Sequence, residues 1–211
     1  MVPAPIPLMP PVITAQDIPS HGHLEVATGT IVTPAARDLA RERGVAIVER
    51  PASQIRPAVN PARTVAIGAD HGGYRLKEIL TPVLIELGYL VTDVGVHSEQ
   101  PADYPDLAEQ VALAVSQGNA ALGVMIDGAG IGSAMAANKL PGIRASLCYD
   151  RASARNAREH NAANVLTLGS RLLTASQAEE VLRTWLSTPY VAGRHQARID
   201  KITALEKKYS Q

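Results

Sequence analysis

The stretch ALGVMIDGAGIGSAMAANK, residues 121–139, decides the fold. Its first seven residues are an apolar run of strand length that ends in a carboxylate, Asp127. Glycines at 128, 130 and 132 follow, alternating with Ala129 and Ile131, and then a short run of helix formers. A strand that turns through glycines into a helix is a common way to hold an anion. The first N–H groups of a helix lack backbone partners and carry the positive end of its dipole. Asp127 sets a negative group beside a place suited to negative charge. It is therefore a catalyst, a ligand or the mark of an altered activity.

The pattern repeats on both sides. TVAIGAD at 64–70, YLVTDVG at 89–95, IRASLCYD at 143–150 and ANVLTLG at 163–169 read as further strands. Helices are expected at 74–88, 106–118, about 132–139, 151–161, 174–187 and roughly 194–209. Strands that alternate with helices predict a parallel sheet covered on both faces. The expected fold is α/β, a Rossmann-like three-layer sandwich with a five-stranded parallel sheet, spanning residues 61–211. Ligands of such sheets sit at the carboxyl ends of the strands.

Residues 1–60 form an extension. Five prolines within residues 1–12 predict an extended tail, and PASQIRPAVNPAR at 51–63 reads as a linker. Between them, HLEVATGTIVTPAARDLARERGVAIVER at 23–50 reads as strand, turn, helix, strand. Thr33 supplies an N-cap, Pro34 a first-turn proline and Gly44 a helix stop. So small an α/β unit cannot bury a large core, and is expected to dock on a partner surface or stay loosely ordered.

Composition narrows the function. The chain has 211 residues, 46% of them hydrophobic, with no Phe, so its core rests on Ala, Val, Ile and Leu. Twenty basic residues balance twenty acidic ones, which argues against a nucleic-acid binder but leaves room for a small phosphate ligand. The single cysteine, Cys148, rules out an intrachain disulfide framework and a cysteine-based zinc site, and fits a reducing cytoplasm. The N-terminus lacks the form of a signal peptide, and no apolar run approaches the roughly 20 residues that cross a bilayer.

VAIGADHGGYRLKE, DYPDLAEQVALAV, GAGIGSAMAANKLPGIRASLCYD, AREHNAANVLTLGSR and GRHQARIDKI, in this order across about 64–206, resemble the type B ribose-5-phosphate isomerases. That family also includes the galactose-6-phosphate isomerase subunits. The resemblance implies a cofactor-free, metal-free aldose–ketose isomerase of a phosphorylated sugar, most simply ribose 5-phosphate. It implies that Asp70 and His71 meet the sugar ring and hydroxyls, that Tyr104 lines the pocket, and that His160, beside Asn161, opens the ring. Arg171, Arg194 and Arg198 match phosphate-binding arginines, and Gly128, Gly130, Gly132 and Ser133 form the loop expected to meet the substrate. It also implies a homodimer, or a dimer of dimers, whose sites are shared between subunits. The chemistry of the residues agrees. Histidine, with an unperturbed pKa of about 6.5, exchanges protons near neutrality. Arginines hold a phosphate dianion through paired hydrogen bonds, and loop N–H groups suit an enediolate oxyanion.

Two departures stand out. Many family members have a cysteine base at the Asp127 position, and others a glutamate where this chain has Ser133. The threonine usual at Ala129 is also absent. Cys148 matches a strand position behind the loop and cannot substitute. Asp127 is the expected replacement base, with a tension: a free aspartate titrates at about 3.9, a helix N-terminus weakens it as a base, and desolvation acts the other way. An altered loop also permits an altered substrate. The alternative is a catalytically altered or inactive sugar-phosphate binder or assembly protein. A dinucleotide site is a further rival, but the glycines run GxGxG rather than GxGxxG, and Pro141 cuts the helix short.

Alone, the glycines would serve only a tight turn, and Arg194 and Arg198 would be solvated charges. Trp185 reads as a packing anchor, and His21, His23 and His97 as surface residues. GTIVTPAARDLARERGVAIVE resembles a short module near the termini of some bacterial microcompartment-associated enzymes, which implies a shell or cargo partner for residues 1–60.

Overall fold

In a computed structural model of the protein, residues 12–51 and 64–209 are described. The expected tail and linker fall largely on residues 1–11 and 52–63, outside the described residues. The described chain falls into two compact units, one within Met1–Val59 and one within Asn60–Gln211.

The second unit is built on five strands, β5 (Thr64–Ala69), β6 (Leu90–Asp93), β7 (Leu122–Asp127), β8 (Ala145–Leu147) and β9 (Val165–Gly169). They form one parallel sheet in the order β6-β5-β7-β9-β8. Every residue of β5 and β9 is buried, which explains their unbroken apolar runs: both faces of a parallel sheet are covered. The two-residue period sorts their side chains. Val65, Ile67, Val124, Ile126, Leu166 and Leu168 face one layer, made of α2 (Tyr74–Glu86), α5 (Arg151–Asn161) and α6 (Ala175–Ser187). Ala66, Met125 and Val165 face the other, made of α3 (Tyr104–Ser116) and α4 (Ile131–Ala137). A last helix, α7, spans Gly193–Tyr209.

With no Phe, close packing depends on small residues. A Cβ on Gly68 or Gly123 would lie 2.8 or 2.7 Å from the Val111 methyls, so these two glycines let α3 sit tightly on the sheet. Trp185 is fully buried in the opposite layer, with the Arg158 guanidinium 4.8 Å over its ring. Lys77 is also fully buried, and its ammonium is held by Asp93 at 2.5 Å.

The two edge strands are shorter than their apolar runs predict. Tyr89 donates its N–H to Leu84 O and so belongs to the cap of α2. Ile143 packs into the α3–α4 layer after a turn and leaves three residues for β8. The helix α3 begins at Tyr104, two residues early, because Pro105 fits a first helical turn. The helix α4 stops at Ala137.

The first unit contains β1 (Val12–Ile13), β2 (His23–Ala27), β3 (Ile31–Val32), α1 (Pro34–Glu42) and β4 (Ala46–Arg50). β1 pairs with β3 and β2 with β4, each in parallel. Thr33 Oγ1 accepts the Ala36 N–H at 3.3 Å, and Gly44 ends the helix at φ +65°. Ile18, Leu24, Val26, Ala36, Ala40 and Val45 form a small core of their own. Among the described residues no helix is long and apolar enough to cross a membrane.

Candidate active site

The strand order reverses at β5 and β7, and the crevice outside the carboxyl ends of those strands is where such a sheet binds ligands. Asp70 and Asp127 stand there. Asp70, just past β5, donates its N–H to Ile126 O (3.1 Å), and its Oδ1 accepts the Gly73 N–H (2.8 Å). His71 follows it, exposed, with Nδ1 3.3 Å from the backbone of Ala102. Tyr104 lies on the glycine loop. A Cβ on Gly132 would come within 2.5–2.7 Å of the Tyr104 ring and hydroxyl, so only glycine lets that ring close over the turn.

The carboxylate of Asp127 is buried and turned into its own loop. Oδ1 accepts the N–H groups of Ala129 (2.7 Å) and Gly130. Oδ2 accepts the N–H of Ser133 (3.2 Å) and the Ser133 hydroxyl. A carboxylate offers about four acceptor positions, and all are used. The helix α4 has no side-chain cap at Gly130, and Asp127 supplies one from the preceding strand. The oxyanion donors expected across 128–133 are thus divided. Those of Ala129, Gly130 and Ser133 meet Asp127, whereas those of Gly128, Ile131 and Gly132 have no acceptor among the described residues.

The exit of β9 completes this group. Ser170 donates its N–H to Asp127 O (2.8 Å) and its hydroxyl to Gly72 O (2.8 Å). The Arg171 N–H bonds Gly128 O (3.1 Å), and its side chain passes over Gly128. Buried Thr167 donates its hydroxyl to Gly130 O (2.8 Å), which fixes a residue at φ +76°. Ser170 and Thr167 do not stand out in the sequence. Only the position of GSR directly after a strand hints at the first.

Four predicted residues lie elsewhere. The helix α5 starts beyond the carboxyl end of β8 and returns to the amino edge of the sheet, where its last residues, His160 and Asn161, sit. Arg144, at the amino end of β8, donates to the carbonyls of Asn161 (3.1 Å) and Ala162 (2.9 Å). His160 lies ten residue steps along the helix from its N-cap Asp150, about 15 Å of rise. His160 Nδ1 is 2.9 Å from Asn156 Nδ2, and its ring stacks on His195 with centroids 4.2 Å apart. His195, between the exposed Arg194 and the Gln196–Arg198 turn of α7, is a group that the sequence reading passed over. Desolvation holds its pKa below the usual histidine value, helped by the positive charges of His160, Arg194 and Arg198 and opposed by Glu159.

The chain therefore gathers Asp70, His71, Tyr104, Asp127, the glycine loop, Ser133 and Arg171 at one edge. It places His160, Asn161, Arg194 and Arg198 at the other. Cys148 is fully buried just past β8, and burial pushes its thiol up to about 11. No group of three or more metal-ligating side chains is placed to hold an ion among the described residues.

A parallel α/β sheet with acids, an imidazole and an arginine around a glycine turn at the switch point defines an enzyme-like site for a small anionic ligand. Residues 65–202 match the family described as Ribose/Galactose Isomerase, and the chain belongs to that family. Ribose-5-phosphate isomerase B of Escherichia coli is 43% identical over 146 residues, covering 69% of this chain and 98% of that protein. The D-erythrulose-4-phosphate isomerase of Pectobacterium atrosepticum is 38% identical, covering 66% and 92%. Among solved structures, ribose-5-phosphate isomerase B of Clostridium thermocellum superposes with a TM-score of 0.69 at 46% identity, covering 70% of this chain and 99% of that one.

Proposed function

We propose that this protein is a cofactor-free aldose–ketose isomerase that interconverts ribose 5-phosphate and ribulose 5-phosphate as a homodimer. The observation that carries the reading is the division of the candidate residues: Asp70, His71, Tyr104, Asp127, the loop donors and Arg171 at the carboxyl edge, and His160, Asn161, Arg194 and Arg198 at the amino edge. Two copies related by a two-fold axis, the carboxyl edge of each facing the amino edge of the other, bring the halves together at two equivalent clefts. Exposed apolar side chains suit such an interface, with Ile131, Met135, Tyr149 and Leu172 about the carboxyl edge and Ile202, Leu205 and Tyr209 on α7.

In the shared cleft His160 and Asn161 of the second copy face Asp70 and His71 of the first and open the sugar ring. Asp127 moves the proton between C1 and C2. The N–H groups of Gly128, Ile131 and Gly132 stabilise the enediolate, whose charge develops only during reaction. Tyr104 covers the sugar, and Arg171, Arg194 and Arg198 bind the phosphate. A coupled assay on ribose 5-phosphate, erythrulose 4-phosphate and hexose phosphates tests the reading. Turnover that Asp127→Asn lowers by about a hundredfold or more supports it. A second reading, an inactive sugar-phosphate binder, has one observation behind it: Asp127 already occupies half of the loop donors. Binding without turnover of any of these sugars would favour that reading.

Residues 1–60 we assign to targeting, toward a microcompartment shell or cargo partner reached from the cytoplasm. The separate small core of this unit, outside the residues that match the family, supports the assignment. Deleting residues 1–60 should leave turnover intact and abolish co-assembly. A collapsed oligomer would defeat it.

A further inference from the structure

Resting on the isomerase reading, we infer that Ser133 is a positioning residue that lets Asp127 carry a proton and selects Oδ2 as the oxygen that does so. A base in this reaction must alternate between carboxylate and carboxylic acid. Three of the four donors around Asp127 are backbone N–H groups, which only donate and cannot accept the proton of the acid form. The fourth is a hydroxyl, which both donates and accepts. Oδ1 is clamped by two N–H groups of the turn. Oδ2 meets the longest of the three backbone contacts, 3.2 Å, and the one partner able to rotate away without moving the backbone.

The step balances on these atoms. The Ser133 hydroxyl rotates off Oδ2 and frees a lone pair. The substrate C–H bond breaks, an O–H bond forms at Oδ2, and the electron pair enters the enediolate. The new acid proton then hydrogen-bonds to Ser133 Oγ, which has become the acceptor. Once the hydroxyl proton has passed from the C2 oxygen to the adjacent C1 oxygen of the enediolate, return of the Oδ2 proton to C1 reverses each change at Asp127. Ser133 is fully buried and its hydroxyl meets Asp127 Oδ2, so it acts through that carboxylate. The sequence expectation that Ser133 binds substrate is replaced here by this indirect role.

Ser133→Ala removes one oxygen from a helical position that suits alanine, so the fold is retained. With ribose 5-phosphate as probe, kcat should fall by about ten- to a hundredfold while KM stays within about twofold. The isotope effect on kcat with deuterium at C2 should rise, because proton transfer becomes slower relative to the other steps. Ser133→Thr, which keeps the hydroxyl, should recover most of kcat. An Ala variant with unchanged kcat, or Ala and Thr variants equally impaired, would overturn the inference while leaving the isomerase reading in place. No turnover by the unaltered protein would remove both.

Discussion

A mixed dimer gives the sharpest test of the divided site. Asp127→Asn damages the carboxyl-edge half, and His160→Asn damages the amino-edge half. Each homodimer then has two damaged sites, and its kcat should drop by about two orders of magnitude or more. In a dimer with one chain of each kind, one site receives both substitutions and the other receives neither. Its activity should be about half that of the unaltered dimer, since a two-fold assembly has two equivalent sites. The structure fixes the logic: His160 lies about 15 Å of helical rise from Asp150 and the carboxyl edge, far beyond the reach of an imidazole. Co-expressing the two chains with different tags, purifying through both tags and following ketose formation measures the recovery. Activity no greater than that of the two variant homodimers would refute the shared site. So would failure to isolate any doubly tagged species.

Other consequences follow from single contacts. Asp93→Asn leaves the buried Lys77 ammonium without its main counter-charge, with only Glu78 at 3.6 Å, and should cost about 3 kcal/mol in denaturant unfolding. A loss below about 1 kcal/mol would show that the pair behaves like a surface one. Cys148 should resist thiol reagents at pH 8 in the native protein and react on unfolding, because its thiol is held at about 11. The folded state keeps that proton where the unfolded chain releases it. Its contribution to stability is therefore full below about pH 9 and is lost as pH rises through about 11. Urea midpoints across that range should fall faster for the unaltered protein than for Cys148→Ala. Asp127→Ala returns three N–H donors to the loop. A hydroxamate mimic of the enediolate should then bind about tenfold more tightly by calorimetry, the equivalent of one hydrogen bond, even as turnover is lost.

The sheet was readable because its strands are buried on both faces and write themselves as unbroken apolar runs, as in TVAIGA and VLTLG. The edge strands were less so, since a caps residue such as Tyr89 and a core residue such as Ile143 look the same in sequence as strand residues. Side chains with distant partners left no trace. Ser170 bonds a carbonyl 98 residues away and Thr167 one 37 away, and neither spacing has a local signature. The position of His160 was different: an eleven-residue helix starting at the carboxyl edge must end at the amino edge, so the split of the site could have been counted out.

The contacts of Asp127 were also local, to residues two, three and six positions on, and they change what the carboxylate means. A cysteine in this place, as the family resemblance implies for many members, could not accept so many bonds, and the loop donors would remain for the substrate. An aspartate satisfies the helix end by itself and so holds the turn in shape without a ligand. The same contacts make it a competitor of the enediolate for three of the six loop donors. Turnover then requires that the remaining donors suffice, or that Oδ2 lets go when substrate binds. Ser133 is the one partner of Oδ2 that can yield by rotation alone. If Asp127 is the base, the carboxylate at 127 and the hydroxyl at 133 work as one pair.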